Sequence, residues 1–543
     1  MSNTAPLECA NPDCRFLNGP EARACARCGR DLGSSRAGRA ASGESGAAQG
    51  GALEEATFEP FSPYRLRRAQ NWFVLGLTYA SYYLCRYNLG AVAPELKAGL
   101  SFNNEQYGAI QASRDGAYGI GQFFNGLFAD RVGGKQAMTI GALGTVVLNL
   151  AFGFTAWSHF VWMFYILFVI RAADGYVQAF GAPGMVKINA AWFRRRERGG
   201  FAGIFGGMIQ LGAIGANQLA ALLASGAIIP LVFYSITIPK LDWRYAFIIP
   251  PVIVALMVVL LNLLVKNHPE DAGHRVRHED EKAGENIHER LHVAQVFWAI
   301  ASNPVIWFVA VAYMCTGFVR RGVESWFAIY LNEVWGAGKT SHMYWILAVF
   351  LPISAFVGSL SSGFVSDRYL KGRRAPVAAT LYSAEAVLIL LGIWASFNYH
   401  VMTPTLSIAL LLAISLTCNS THSILGTAAV MDLGGRKMSG FSLGLVNMFQ
   451  YAGAVLATWG VGRLIDRYSP YFPNAAKAVT SAAATSAPAA PQFSSVAAAA
   501  STQPMVVFSP TVWFLSMLPF ALLGASLMLY LTVRHRGTNT RGT

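Results

Sequence analysis

From Trp72 onward the chain alternates long apolar runs with short polar joints, and no other feature constrains its fold as strongly. A helix needs about 20 apolar residues to cross the hydrocarbon core of a bilayer. Within that core every backbone N–H and C=O must find its partner inside the segment, which leaves helices or closed barrels. The runs predict twelve spans at 72–92, 106–129, 137–156, 160–183, 200–223, 244–265, 304–331, 342–366, 376–397, 403–428, 438–461 and 510–533. Composition agrees. Only 13% of residues are charged, too few to coat a soluble protein of this size. At 54% hydrophobic, the chain is also not disordered in general.

The longest hydrophilic break, 266–300, starts KNHPEDAGHRVRHEDEK and separates spans 1–6 from spans 7–12. The expected organisation is therefore an all-α membrane protein of 12 transmembrane helices in two six-helix bundles. The bundles are 71–265 and 301–533, joined by a cytoplasmic linker at 266–300 and followed by a cytoplasmic tail at 534–543. The segment 468–508 is a low-complexity extracytoplasmic loop without assigned chemistry. Residues 1–70 carry no apolar run and no signal-peptide pattern. They divide into a module at 1–32 and a flexible Gly/Ala/Ser-rich linker at 33–70.

With the N-terminus in the cytoplasm, and Lys187 counted to the end of span 4, the inward-facing joints hold 17 Lys and Arg residues against 6 in the outward-facing joints. That asymmetry places both termini in the cytoplasm. The net charge of +14 is then mostly topology and calls for no nucleic acid.

Four cysteines sit in the N-terminal module, as Cys9-x4-Cys14 and Cys25-x2-Cys28. Four thiolates so spaced can close a tetrahedral structural zinc site, and a reducing cytosol favours metal over disulfides. The module resembles a small zinc ribbon and suits contact with a cytosolic protein partner. A tail with incidental cysteines is the alternative. Transport itself needs no cofactor.

An internal repeat links the halves. GLFADRVGGK (Gly126 to Lys135) follows span 2, and GFVSDRYLKGRR (Gly363 to Arg374) follows span 8. Gly126, Asp130 and Arg131 thus match the second loop's Asp367 and Arg368 at a helix end, where charges can pair with a neighbouring helix or its dipole. The repeat resembles the signature loop of the major facilitator superfamily.

A charge at membrane depth costs several kcal/mol, so each is a functional candidate. Spans 1 and 7 occupy equivalent places in the two halves, and each offers an arginine, Arg86 and Arg320. Two guanidinium forks facing one cavity suit a phosphate or carboxylate. Arg114 and Arg171 are further cations for the site. Asp115, Asp174 and Glu324 are candidate proton or ion-pair sites. Arg321 with Glu324 and Arg171 with Asp174 are spaced (i, i+3) for intrahelical ion pairs. Gln122, Tyr83, Tyr87 and Gln210 are polar groups able to line the cavity, although interhelix packing explains them equally well. Lys187, near the end of span 4, Glu385 and His422 complete the ionisable set.

The contexts YASYYLCRYNLGAVAP around Arg86 and FVRRGVESWFAIYL around Arg320 resemble the organophosphate:phosphate antiporter family of the major facilitator superfamily, the glycerol-3-phosphate transporter-like carriers. ERGGFAG and KNHPEDAGH, after spans 4 and 6, are similar to that family too. The resemblance implies phosphate binding by Arg86 and Arg320, alternating access, and residence in a bacterial plasma (inner) membrane. This chain departs from the family at two places: Gln122 stands for a lysine, and Ile209, beside Gln210, stands for a histidine. Arg171-x3-Gly175 resembles the organic anion:proton symporters, but Cys85 and Gln178 replace the acids those carriers hold.

The expected function is exchange of a small organic phosphate against inorganic phosphate. A carboxylate or sugar-acid:proton symporter and a transporter-like sensor are the alternatives. No Ser/His/Asp set, phosphate-binding Gly loop or open catalytic metal site marks an enzyme.

Overall fold

The computed structural model describes residues 7–8, 17–18, 63–158, 161–193, 195–230, 235–274, 302–370, 373–398, 400–429, 444–469 and 508–539. Within the unit Met1–Glu55, β1 (Leu7–Glu8) pairs antiparallel with β2 (Leu17–Asn18). Cys9, Cys14, Cys25 and Cys28 lie outside the described residues, as do the central linker from 275 to 301 and most of the loop 468–508.

The second unit is helical. Its long helices are α1 (Pro63–Ala91), α2 (Asn104–Val132), α3 (Gly134–Thr155), α4 (Met163–Gln178), α5 (Arg195–Ser225), α6 (Ile249–Leu264), α7 (Pro304–Trp335), α8 (His342–Tyr369), α9 (Arg374–Phe397), α10 (Pro404–Ser423), α11 (444–468) and α12 (Pro510–Asn539). A short helix, Ala93–Leu100, follows α1, and Gly181–Trp192 continues α4 after a break. Local sequence sets several starts. Asn103 and Gln106 form a reciprocal capping box at α2. Asn303 and Thr403 cap α7 and α10 just ahead of Pro304 and Pro404, where a missing N–H costs nothing.

The expected spans and the observed helices differ at their ends. α1 starts at Pro63, inside the expected linker, because its first turns are held by side chains rather than by hydropathy. There Tyr64 Oη donates to the Trp192 carbonyl at 3.1 Å. Arg67 Nη2 donates at 2.8 Å to the carbonyl of Leu264, the last residue of α6. The expected span 244–265 opens as a 3-10 turn, Trp243–Phe247. The joint before it holds a hairpin, β3 (Ala227–Pro230) against β4 (Ser235–Ile238).

Packing follows two sets of contacts. α1 packs on α5 and α6, and α3 on α4 and α6. In the second set α8 packs on α10, and α12 on α7 and α9. α5 with α8 and α2 with α11 join the sets. The crossing of α7 and α11 needs glycine on both sides: a Cβ at Gly317 would meet the Gln450 carbonyl, and one at Gly453 the Met314 carbonyl. Val147, Val169, Leu263, Phe364 and Val387 stand exposed, as on a lipid-facing surface. Among the described residues nine helices are long and apolar enough to cross a membrane. The remaining three, α1, α2 and α11, are the more polar ones, and α1 and α2 carry part of the site described next.

Candidate functional site

α1 sets Tyr79, Tyr83 and Tyr87 four residues apart on one face, with ring centroids 5.7 Å and 5.8 Å apart in succession. Arg86 lies against this ladder, its guanidinium 4.5 Å from the Tyr83 ring and 4.4 Å from the Tyr118 ring of α2. Arg86 Nη1 donates to Tyr83 Oη at 3.2 Å, and Nε donates to Gln178 Oε1 at 3.1 Å. Among the described residues its buried Nη2 has no hydrogen-bond partner, and no described carboxylate pairs with Arg86.

Arg320, on α7, is placed differently. Its Nε donates to Glu324 Oε1 at 3.0 Å, and its Nη1 meets His422 Nε2 of α10 at 3.3 Å. Glu324 Oε2 accepts from Tyr87 Oη at 3.2 Å and from Arg321 Nη1 at 3.4 Å. Both arginines of the RR pair therefore reach the glutamate, where the spacing singled out Arg321. Arg321 also makes a bidentate bond to Asp115 of α2, Nε to Oδ2 at 2.7 Å and Nη2 to Oδ1 at 2.8 Å. Arg114 Nη1 donates to the same Asp115 Oδ1 at 2.7 Å.

The second cluster lies within the first helices. Arg171 Nη1 donates to Asp174 Oδ2 at 2.9 Å, as the spacing anticipated, and Nη2 donates to Asn88 Oδ1 at 3.2 Å. Gln178 joins the clusters. Its Nε2 donates to both Asp174 oxygens at 3.0 Å, while its Oε1 accepts from Arg86 and, at 3.4 Å, from Arg114. One hydrogen-bonded network thus runs from α4 through α1 and α2 to α7 and α10. Arg114, Asp115, Arg171 and Asp174 are fully buried within it. For Arg114 and Arg171 the structure replaces the expected cavity-facing role with internal ion pairs, because a buried guanidinium must be compensated.

A cavity opens between the two helix sets, lined by Tyr87, Gln210, Asn217, Arg320, Glu324 and Asn419 among others. Gln122 stands apart, its Nε2 3.5 Å from the Ala179 carbonyl. Arg131 and Arg368 are exposed at helix ends, and the side chains of Asp130 and Asp367 lie outside the described residues. The bridging role of Gln178 and the contact of His422 with Arg320 were not assigned from sequence. The part each residue plays depends on a helix distant in the chain. Among the described residues no group of three or more His, Cys, Asp or Glu side chains is placed to hold a metal.

The model of the Major Facilitator Superfamily matches residues 75–458. The membrane sensor protein UhpC of Escherichia coli is 25% identical over 76% of this chain and 89% of its own length. The glycerol-3-phosphate transporter of Bacillus subtilis is 27% identical over 75% and 88%. A probable hexose phosphate transport protein of Chlamydia pneumoniae is 26% identical over 74% and 86%. Among solved structures, an inward-facing, unoccupied bacterial homologue of the human lysosomal transporter Spinster has the same fold. Its TM-score is 0.62 at 16% identity, over 87% of this chain and 96% of that one.

Proposed function

The chain belongs to the Major Facilitator Superfamily, and on that premise we propose that it binds small phosphorylated organic anions and exchanges them for inorganic phosphate. It is an integral membrane protein of a transporter family and not an enzyme. The observation that carries the reading is a charge imbalance. Among the described residues the network holds five guanidinium groups, on Arg86, Arg114, Arg171, Arg320 and Arg321, against three carboxylates, on Asp115, Asp174 and Glu324. Two positive charges are left over where uncompensated charge is costly. A phosphate monoester carries about −1.5 to −2 at pH 7 and balances both, whereas a monocarboxylate leaves one. Relatives whose names specify glycerol-3-phosphate and hexose phosphate support the same class.

In this reading Arg86 supplies a free donor edge, and Arg320 supplies its guanidinium once the anion displaces Glu324. The site then sits between helix sets that rock about it, with both termini in the cytoplasm. Proteoliposomes loaded with phosphate should take up labelled phosphate by exchange, with competition from sugar phosphates. No exchange under any gradient rules the antiport out. The likeness to a membrane sensor protein supports a second reading, ligand binding without flux, with the four-cysteine module as the output side. Specific phosphate binding in detergent, combined with no exchange in proteoliposomes, decides for it.

A further inference from the structure

The structure sets a histidine directly against one arm of the anion site. His422 lies on α10, one turn beyond Cys418 and Asn419 in the cavity wall, and its ring touches Arg320. We propose that His422 is a proton-binding group of this site, neutral when the site is empty and protonated at Nε2 when an anion is bound, so that anion and proton enter together. The proposal rests on the anion-binding reading above.

The hydrogen-bond roles set the empty state. A guanidinium only donates, so the Arg320 Nη1 contact at 3.3 Å requires a lone pair on His422 Nε2. The ring proton is then on Nδ1, which donates to Tyr313 Oη at 2.8 Å. Tyr313 also stacks on the ring, at 5.3 Å and 22°. An imidazolium in this position would press a proton against a cation.

An anion in the cavity reverses these terms. It competes with Glu324 and His422 for the Arg320 fork, and Nε2 loses its donor. A negative charge now faces the ring and favours its charged form. One N–H bond forms at Nε2 with a proton drawn from the bulk solvent, as hydronium or buffer acid, so one H+ is taken up per anion bound and no hydroxide is left in the site.

The neighbours leave His422 as the group that responds. α7 presents Arg320 and Tyr313, with Glu324 on the far side of Arg320. α9 carries Tyr382, whose hydroxyl bonds Thr316 and Ala312, and Glu385, which lies near Cys315 and Cys418. α8 has no ionisable residue between 346 and 364.

The test uses the full-length protein in detergent with inorganic phosphate as the probe, comparing wild type with His422→Gln from pH 8 to pH 6. The ionisation of phosphate itself is common to both proteins and cancels in the ratio of their dissociation constants. The ratio of variant to wild type should rise as pH falls, by up to about tenfold per pH unit. In weak buffer, wild type should take up about one more proton per phosphate bound than the variant. His422→Asn repeats the comparison if the glutamine variant does not fold. Parallel pH profiles with equal proton uptake overturn the proposal. Failure of wild type to bind phosphate at every pH overturns the anion reading on which it rests.

Discussion

Arg86 and Arg320 differ in what already neutralises them. Arg86 has tyrosine rings and an amide around it and no paired carboxylate among the described residues, whereas Arg320 shares Glu324 with Arg321 and Tyr87. A point charge cannot reproduce a bidentate fork. Arg86→Lys and Arg320→Lys should each cut exchange by at least about tenfold, which corresponds to about 1.4 kcal/mol, with normal membrane expression. Retained rates in both variants remove the arginine pair from the site. Asp115 is expected to matter for folding. Asp115→Asn leaves Arg321 and Arg114 buried without their carboxylate, a loss of about 3–5 kcal/mol. The double change Asp115→Asn with Arg321→Gln should recover part of that stability in a detergent melting assay. Equal melting temperatures for wild type and Asp115→Asn contradict the pairing. At this scale the sequence showed the ionisable residues and the intrahelical pair Arg171–Asp174. The bond from Arg321 to Asp115 joins residues 206 positions apart, and no local spacing carries it.

Between elements, close approach is decided by the absence of side chains. A Cβ on Gly175 of α4 would fall on the Arg114 carbonyl of α2. Gly175→Ala should therefore push α4 from α2 and displace Arg114 and Gln178 together. The expected cost is about 1–3 kcal/mol, read as a lower melting temperature and weaker phosphate binding in the same variant. Unchanged binding and stability contradict the tight crossing. Helix existence was legible because most spans carry their own apolar run, with α1, α2 and α11 the more polar exceptions. Helix ends were less so: the first turns of α1 are polar, and their support comes from Trp192 and Leu264 far along the chain.

For the whole molecule, the helix sets are tied at the end opposite the loops of Arg131 and Arg368. Lys97, after α1, pairs with Glu333 of α7 at 2.6 Å. Asp466 of α11 accepts from Asn104 Nδ2 and from the Glu105 N–H, each at 2.7 Å, at the positive end of α2. These contacts draw the two helix sets together at that end. Lys97→Glu should open it, lengthening the distance between spin labels at Ser101 and His342, and Lys97→Glu combined with Glu333→Lys should restore it. An unchanged distance in the single variant means the pair does not hold the sets together.

The sequence by itself determined that this chain crosses a membrane many times as helices, and which charges it risks there. Apolar length and internal backbone satisfaction are properties of each segment alone. Only the tertiary structure decided which of those charges are spent on one another. Asp115 takes Arg321 and Arg114, Asp174 takes Arg171, and Glu324 is shared, while Arg86 keeps an unpartnered edge. That assignment depends on α1, α2, α4, α7 and α10 meeting at one depth, because a buried ion pair forms only where packing brings its partners within a few ångströms.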